Sequence, residues 1–338
     1  MREETDYSLL RHNTFGIDVR CRQYLEYASV EEACAVGRLL SGGKQPYLII
    51  GGGSNLLLTR DFPGTVVRSA VKGVQLLERQ AGHVMVSVGS GENWDGFVQT
   101  CVDSGWHGAE NLSLIPGDVG ASAVQNIGAY GTEVCELIDR VEAVRIADGE
   151  VVVLPAGECR YGYRQSRFKQ EWKDAYLITH VVFRLPTVYA PRLEYGNIRA
   201  ELERRGITVP TPMQLRQVVI DIRREKLPDP EVEGNAGSFF MNPVVSREKF
   251  EKLLAQYPDM PHYHVDDEHE KIPAGWLIDR CGWKGRSLSR AGVHPKQALV
   301  LVNLGGATGQ EIVDLCNTIR QDVLQKFGVE IKPEVNIV

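Results

Sequence analysis

Three glycine-rich turns hold the clearest chemical potential in this sequence. Gly51-Gly52-Gly53-Ser54-Asn55 follows a short apolar run, Pro46 to Ile50. Pro116-Gly117-Asp118-Val119-Gly120-Ala121-Ser122 opens a helical pattern, and Asn126-Ile127-Gly128-Ala129-Tyr130-Gly131 follows closely. Glycines let a backbone approach a phosphate, and successive N–H groups or a helix N-terminus can cradle its charge. Each turn also reads as a plain tight turn, so a dinucleotide or diphosphate site and ordinary turns both stay open. Position 56 is Leu56, which breaks the Gly-x-Gly-x-x-Gly nucleotide fingerprint, and Gly43-Lys44-Gln45 is no phosphate-binding P-loop. Any dinucleotide must therefore be held by another fold.

Two further segments could do chemistry. Tyr161-Gly162-Tyr163-Arg164-Gln165-Ser166 sets an arginine among aromatics and hydroxyls. The stretch from Lys226-Leu227-Pro228-Asp229-Pro230 to Gly234-Asn235-Ala236-Gly237-Ser238-Phe239-Phe240-Met241-Asn242-Pro243 places Ser238 after a small-residue turn. A serine there could equally cap the next segment or bond its own backbone. It is no nucleophile elbow, since Gly-x-Ser-x-Gly fails on both sides. His262-Tyr263-His264-Val265-Asp266-Asp267-Glu268-His269 suggests metal ligands, but between Pro261 and Pro273 it reads as a polar surface loop, and no metal is expected. The seven cysteines are scattered and never form Cys-x-x-Cys, which reads as reduced thiols rather than a disulfide or zinc framework; Cys281 has no base partner nearby.

The elements that must position these residues follow from periodicity and caps. Tyr24 to Ala28 reads as a strand. Ser29 and Glu32 stand in capping-box register before a helix through Ala33, Val36 and Leu40, which Gly42-Gly43 stops. Pro46 to Ile50 reads as a buried, parallel strand. Val84, Val86 and Val88 alternate as a strand does. Asn93 and Gly105 bound a helix through Trp94, Phe97, Val98 and Cys101. Asp148-Gly149 joins Val141–Ile146 to Val151–Leu154 as a hairpin, and Tyr176 to Leu185 is a further strand. Thr211, Pro212 and Gln214 open a helix closed by Pro228, and Ser246 starts another through Phe250, Leu253 and Tyr257. Ala298 to Leu304 is a buried strand. Thr308 and Glu311 cap a long amphipathic helix that Gly328 ends, and Val329 to Val335 reads as a last strand. The pattern is α+β, with a boundary near Pro186–Pro191.

Composition narrows the classes. At 338 residues the chain is long enough for two or three domains, and 43% hydrophobic with 24% charged residues is the balance of a folded globular protein. A formal net charge of −6 argues against a nucleic-acid partner, although local Arg and Lys can still receive an anionic small molecule. No run reaches the ~20 apolar residues a membrane helix needs. The charged start, Met1-Arg2-Glu3-Glu4-Thr5-Asp6, is unlike a secretory signal, so a cytoplasmic location is expected.

Taken in order, these motifs resemble the enolpyruvoyl-UDP-GlcNAc reductase family. The resemblance rests on Gly51 to Asn55, Ile115-Pro116-Gly117-x-Val119-Gly120-Ala121, Gln125 to Gly131, Tyr163-Arg164-x-Ser166, Lys226 to Pro230, Gly234 to Phe240 and Pro333-Glu334-Val335. It runs from Asn13-Thr14-Phe15 to Glu334; the glycine turns alone would indicate only the wider flavin-binding fold of the vanillyl-alcohol oxidase type. The family implies an α+β chain of that fold. FAD-binding subdomain 1 would span 1–68, joined by a C-terminal strand at 329–338; subdomain 2 would span 69–190, and an α+β substrate domain 191–328. It further implies bound FAD, NADPH as hydride donor, and reduction of UDP-N-acetylenolpyruvoylglucosamine to UDP-N-acetylmuramate for peptidoglycan, by a monomer.

By the same resemblance, Gly51, Gly52, Gly53, Ser54, Asn55, Pro116, Gly117, Ser122, Asn126, Ile127 and Gly128 would hold FAD. Ser238 takes the family's proton-donor place, Glu334 its acid position, and Arg164 the place beside the substrate carboxylate. Tyr195, Lys226, Asn242, Lys284 and Gln297 fall where the family contacts the UDP moiety, and Tyr195 matches the substrate-clamping loop of its longer branch. Asp118 departs from the many relatives with a neutral residue, and its carboxylate would repel a diphosphate unless it faces away. Two other readings share parts of the pattern. A flavin oxidase of this fold explains the glycine turns but not Arg164, Ser238 and Glu334 together; a non-enzymatic UDP-sugar or flavin sensor would not need the catalytic set.

Overall fold

The computed structural model describes Met1–Val338 and divides into two compact units. The first comprises residues 1–7, 20–52 and 62–225; the second comprises 8–19, 53–61 and 226–338.

In the first unit, Arg2–Ser8, Arg20–Tyr27, Phe62–Ser69 and Tyr47–Ile50 line up in that order as a four-stranded sheet. The last three run parallel, as a crossover through helix Val30–Gly42 requires. Ser29 accepts the Glu32 N–H as expected, but the Glu32 carboxylate reaches the Ala28 N–H rather than closing the box on Ser29. Tyr47–Ile50 is parallel as expected, yet only Ile50 is fully buried because the strand lies at the sheet edge. A second, antiparallel sheet has the order Glu150–Pro155, Ile138–Arg145, Tyr176–Pro186, His83–Gly89, Val74–Gln80. Val84, Val86 and Val88 point from it into a core with Trp94, Phe97 and Phe183, against which helix Trp94–Ser104 packs. Asn93 caps that helix and Gly105 ends it at φ 69°.

Helices Ile198–Arg204 and Pro212–Lys226 bury their own cluster of Ile198, Leu202, Leu215, Val218, Val219 and Ile222. The second is tied to helix Trp94–Ser104 by a buried ion pair. Arg216 donates to both Asp95 carboxylate oxygens (2.6 and 3.0 Å) and to Gln99 (2.8 Å). Its side chain is only 7% exposed and that of Asp95 25%, so removing it takes the cation from a partly desolvated carboxylate. Arg216→Ala is expected to lower stability by about 1.5–3 kcal/mol, measurable as a shifted urea midpoint at unchanged slope.

The second unit is built on the antiparallel order Gly234–Ser238, Val300–Asn303, Ala291–Val293, Ser287–Leu288. The long helix Gly309–Phe327 starts in a complete Thr308/Glu311 capping box and ends at Gly328, φ 61°. Two sequence expectations are corrected here. Val329–Val335 is not a strand: Pro333 makes one isolated bridge to Phe240, and the terminal strand is Asn336–Ile337, parallel to Leu56–Leu57. The segment read as a polar loop at 262–269 is instead part of a hairpin. Tyr263–Asp266 pairs with His269–Lys271, and Glu270 is buried beneath it, beside His264 (3.1 Å) and Arg247 (3.4 Å). Paired backbone tolerates polar side chains on an outer face, which hid these strands in the sequence. No group of three or more His, Cys, Asp or Glu side chains could hold a metal ion, and all seven cysteines are unpaired.

Candidate active site

In the first unit the glycine turns close on one another. Strand Tyr47–Ile50 runs into Gly51 and Gly52, where a Cβ on Gly51 would lie 2.9 Å from the Ala121 Cβ and one on Gly52 3.1 Å from the Gly117 Cα. Backbone bonds from Trp94 N to Gly117 O (3.0 Å), Val119 N to Glu92 O (2.8 Å) and Gly120 N to Ser90 O (2.8 Å) fix the partner loop. Side chains other than hydrogen would force these loops apart, so the glycines serve close backbone approach. This is the cradle a diphosphate needs, and the residues present fit FAD there.

Two of the side chains expected at the cofactor also bond within the protein. Ser122 is buried and donates its hydroxyl to Val119 O (2.7 Å). Asn126, fully buried in the left-handed region at φ 48°, donates to Glu133 (2.9 Å) and Gly162 O (2.8 Å) and accepts from Cys135 N (3.1 Å). Both side chains thereby help to hold the turn. Ile127 extends the same frame, accepting from Val134 N (2.8 Å).

Asn126 also sets Arg164. By gripping Gly162 it anchors the loop that carries the arginine, and Arg164 Nη2 donates to Gly128 O (2.6 Å) while Nη1 reaches Asn126 O (3.4 Å). Arg164 adopts φ 55°, a strained value that Lys169 supports by donating to its carbonyl (3.0 Å). Tyr195 and Gly196 interlock with Tyr130 and Gly131: a Cβ on Gly131 would overlap the Tyr195 ring, and one on Gly196 would meet the Tyr130 ring at 3.1 Å.

Sequence reasoning passed over one cation in this unit. Burial pulls the Arg223 guanidinium down from its ordinary value, with Arg164 adding to the fall while Tyr130 and Asp95 oppose it; its Nε makes no hydrogen bond. The available signal was spacing, since Arg223 stands three residues before Lys226 on one helix face.

In the second unit three stretches distant in sequence meet, 8–19, 53–61 and the C-terminal segment. Gly53, at φ 69°, lies so close to His12 that a Cβ would overlap its carbonyl, and Thr14 N donates to Gly53 O (3.1 Å). Asn55 Nδ2 donates to Glu334 O (3.4 Å), while Asn336 N donates to Asn55 O (3.1 Å). The Glu334 segment pairs in turn with the residues after Ser238: Met241 N donates to Lys332 O (2.9 Å) and Glu334 N to Phe239 O (2.8 Å). Ser238, exposed at the end of Gly234–Ser238, is thus one residue from the carbonyl that fixes Glu334.

The remaining expected contacts divide. Asn242 accepts from Ala274 N (2.9 Å) at the start of helix Ala274–Arg280, and Gln297 Oε1 lies 3.4 Å from a Cβ built on Gly275. Those two share one helix end. Lys284 is at the other end, 3.5 Å from Asp279, and Lys226, half-buried, closes helix Pro212–Lys226.

Fold and cradle together define a flavin-binding α+β protein of the vanillyl-alcohol oxidase type. Residues 22–155 match the FAD binding domain family, and 229–338 match the C-terminal domain of UDP-N-acetylenolpyruvoylglucosamine reductase. The chain is 54% identical to the UDP-N-acetylenolpyruvoylglucosamine reductase of Bacteroides fragilis, over 99% of this chain and 100% of that one. It is 48% identical to that of Paraburkholderia phymatum, over 97% and 96%. It therefore belongs to the UDP-N-acetylenolpyruvoylglucosamine reductase family. The crystal structure of the Thermus caldophilus reductase superposes with a TM-score of 0.68 at 22% identity, covering 99% of this chain and 98% of that one. A 4-ethylphenol oxidase from Gulosibacter chungangensis reaches 0.50 at 13% identity, covering 94% and 83%, and shares the fold alone.

Proposed function

We propose that this protein reduces UDP-N-acetylenolpyruvoylglucosamine to UDP-N-acetylmuramate at the expense of NADPH, supplying a peptidoglycan precursor. The observation that carries the residue assignment is the backbone pairing of Phe239 and Met241 with Lys332 and Glu334, which holds the serine and the carboxylate to one short stretch of paired chain. FAD, when bound, would supply the hydride relay between NADPH and the methylene carbon of the enolpyruvyl group. Gly51 to Asn55, Pro116, Gly117, Ser122 and the 126–128 turn would hold it, chiefly through backbone.

Adding a hydride to an enol ether conjugated with a carboxylate builds enolate-like charge, which preorganised donors must meet. Arg164, its planar fork fixed on the 126–128 carbonyls, receives the substrate carboxylate. Glu334 bonds to the same group, and Ser238 delivers the proton to the carbon that bears the ether oxygen. A hydroxyl is a weak acid, so this transfer relies on the basicity of the enolate. Tyr195, Lys226, Asn242, Lys284 and Gln297 hold the UDP portion. We assign 1–68 with 329–338, and 69–190, to the cofactor and 191–328 to the substrate, in a monomer that works in the cytoplasm. No helix is long and apolar enough to cross a membrane.

Turnover should consume one NADPH per product, with a mass gain of two hydrogens in the sugar nucleotide. NADPH oxidation that continues unchanged without the enolpyruvyl sugar and yields no such product would favour the oxidase reading.

A further inference from the structure

A largely but not fully buried ion cluster lies against the first glycine turn, outside the residues assigned above. Asp118 is 8% exposed and occupies the N-cap position of helix Val119–Gln125, yet its side chain makes no capping bond. Its carboxylate is directed elsewhere. Oδ2 accepts from Arg68 Nη2 (3.2 Å), and Arg68 Nη1 donates to Glu26 (3.2 Å), which also accepts from the Tyr24 hydroxyl (2.8 Å). The same carboxylate abuts the turn: a Cβ on Gly52 would lie 3.3 Å from Asp118 Oδ1, and one on Gly51 3.8 Å from Oδ2.

We propose that Arg68 is a positioning and charge-compensating residue for cofactor binding, masking the Asp118 carboxylate that would otherwise repel the FAD diphosphate at the Gly51–Gly52 turn. The inference rests on the flavoenzyme reading. Two carboxylates share one guanidinium here, so without Arg68 both would lose the cation they bond, and only the more distant charge of Lys72 would offset Asp118 beneath an anion-binding turn. Burial weakens the water screening that could replace it. Burial also pushes the Asp118 carboxyl up from its ordinary value, with Glu92 adding to the rise while Arg68 and Lys72 oppose it. Arg68 Nε is buried without a partner, while its two terminal nitrogens donate to the two carboxylates.

The test is FAD titration of the apoprotein, followed by flavin fluorescence, in four forms: wild type, Arg68→Gln, Asp118→Asn and the double variant. Arg68→Gln should raise the FAD Kd by about 10- to 100-fold, the scale of an unscreened like-charge contact across a turn. Asp118→Asn should bind as well as wild type or better, and adding it to Arg68→Gln should restore the Kd to within about threefold of wild type. Riboflavin has no phosphate, so its binding should change by less than about threefold across the set. Equal losses for riboflavin and FAD would mean a damaged fold and overturn the proposal. So would a double variant as weak as Arg68→Gln, which would make Arg68 itself the phosphate contact. If Arg68→Gln does not fold, Asp118→Asn decides alone, since a tenfold weaker FAD complex would refute the repulsion. Wild-type protein that takes up no FAD defeats the flavoenzyme reading and this one together, and shows itself before any substitution is made.

Discussion

Ser238→Ala should leave NADPH-driven bleaching of the bound flavin near its wild-type rate and slow reoxidation by UDP-N-acetylenolpyruvoylglucosamine by about 10²-fold or more. The asymmetry follows from where the serine acts. Proton delivery belongs only to the second half-reaction, and stopped-flow absorbance separates the two. Ser238 is exposed, at the end of a strand whose backbone is held by Val300 and by the turn before it, where Gly237 N donates to Asn235 (2.8 Å). Losing one exposed hydroxyl should therefore spare stability. Equal slowing of both half-reactions would mean the assignment of the proton donor is wrong.

Arg164→Lys should likewise damage the second half-reaction, by about 10²-fold, while FAD remains bound. Two features make a conservative charge replacement severe here. Arg164 already divides its fork between Gly128 O and Asn126 O, and its backbone sits at φ 55°, so the guanidinium plane is set by contacts an ammonium cannot reproduce. A lysine would keep the charge and lose the orientation. A near-wild-type rate of reoxidation would remove Arg164 from the reacting group.

What could be read from the sequence was largely what is local. Ser29, Asn93, Ser246 and Thr308 each accept the N–H their spacing foretold, because a cap is decided within four residues. The Asp148-Gly149 hairpin formed for the same reason. The family motifs carried the site further than physics alone could, since nothing local says that Asn55 and Glu334, 279 positions apart, share a hydrogen bond.

The misread strands have separate physical causes. Val329–Val335 has strand-like composition, but Pro333 lacks an N–H, so pairing moves on to Asn336–Ile337. Tyr263–Asp266 was masked by its polar side chains. Asn126 and Ser122 show a different limit: the sequence does not say that their side chains also bond within the turn, which the folded chain shows. Arg68 and Arg223 belong to no motif singled out in the sequence, and only burial in the fold sets them apart.

The most direct test of the central claim is an anaerobic visible spectrum of the purified protein, taken alone, after NADPH, and after the enolpyruvyl sugar nucleotide. The flavin bands should bleach with NADPH and return only when UDP-N-acetylenolpyruvoylglucosamine is added. A colourless protein that cannot be reconstituted with FAD, or a bleached flavin that this substrate leaves reduced, would contradict that claim.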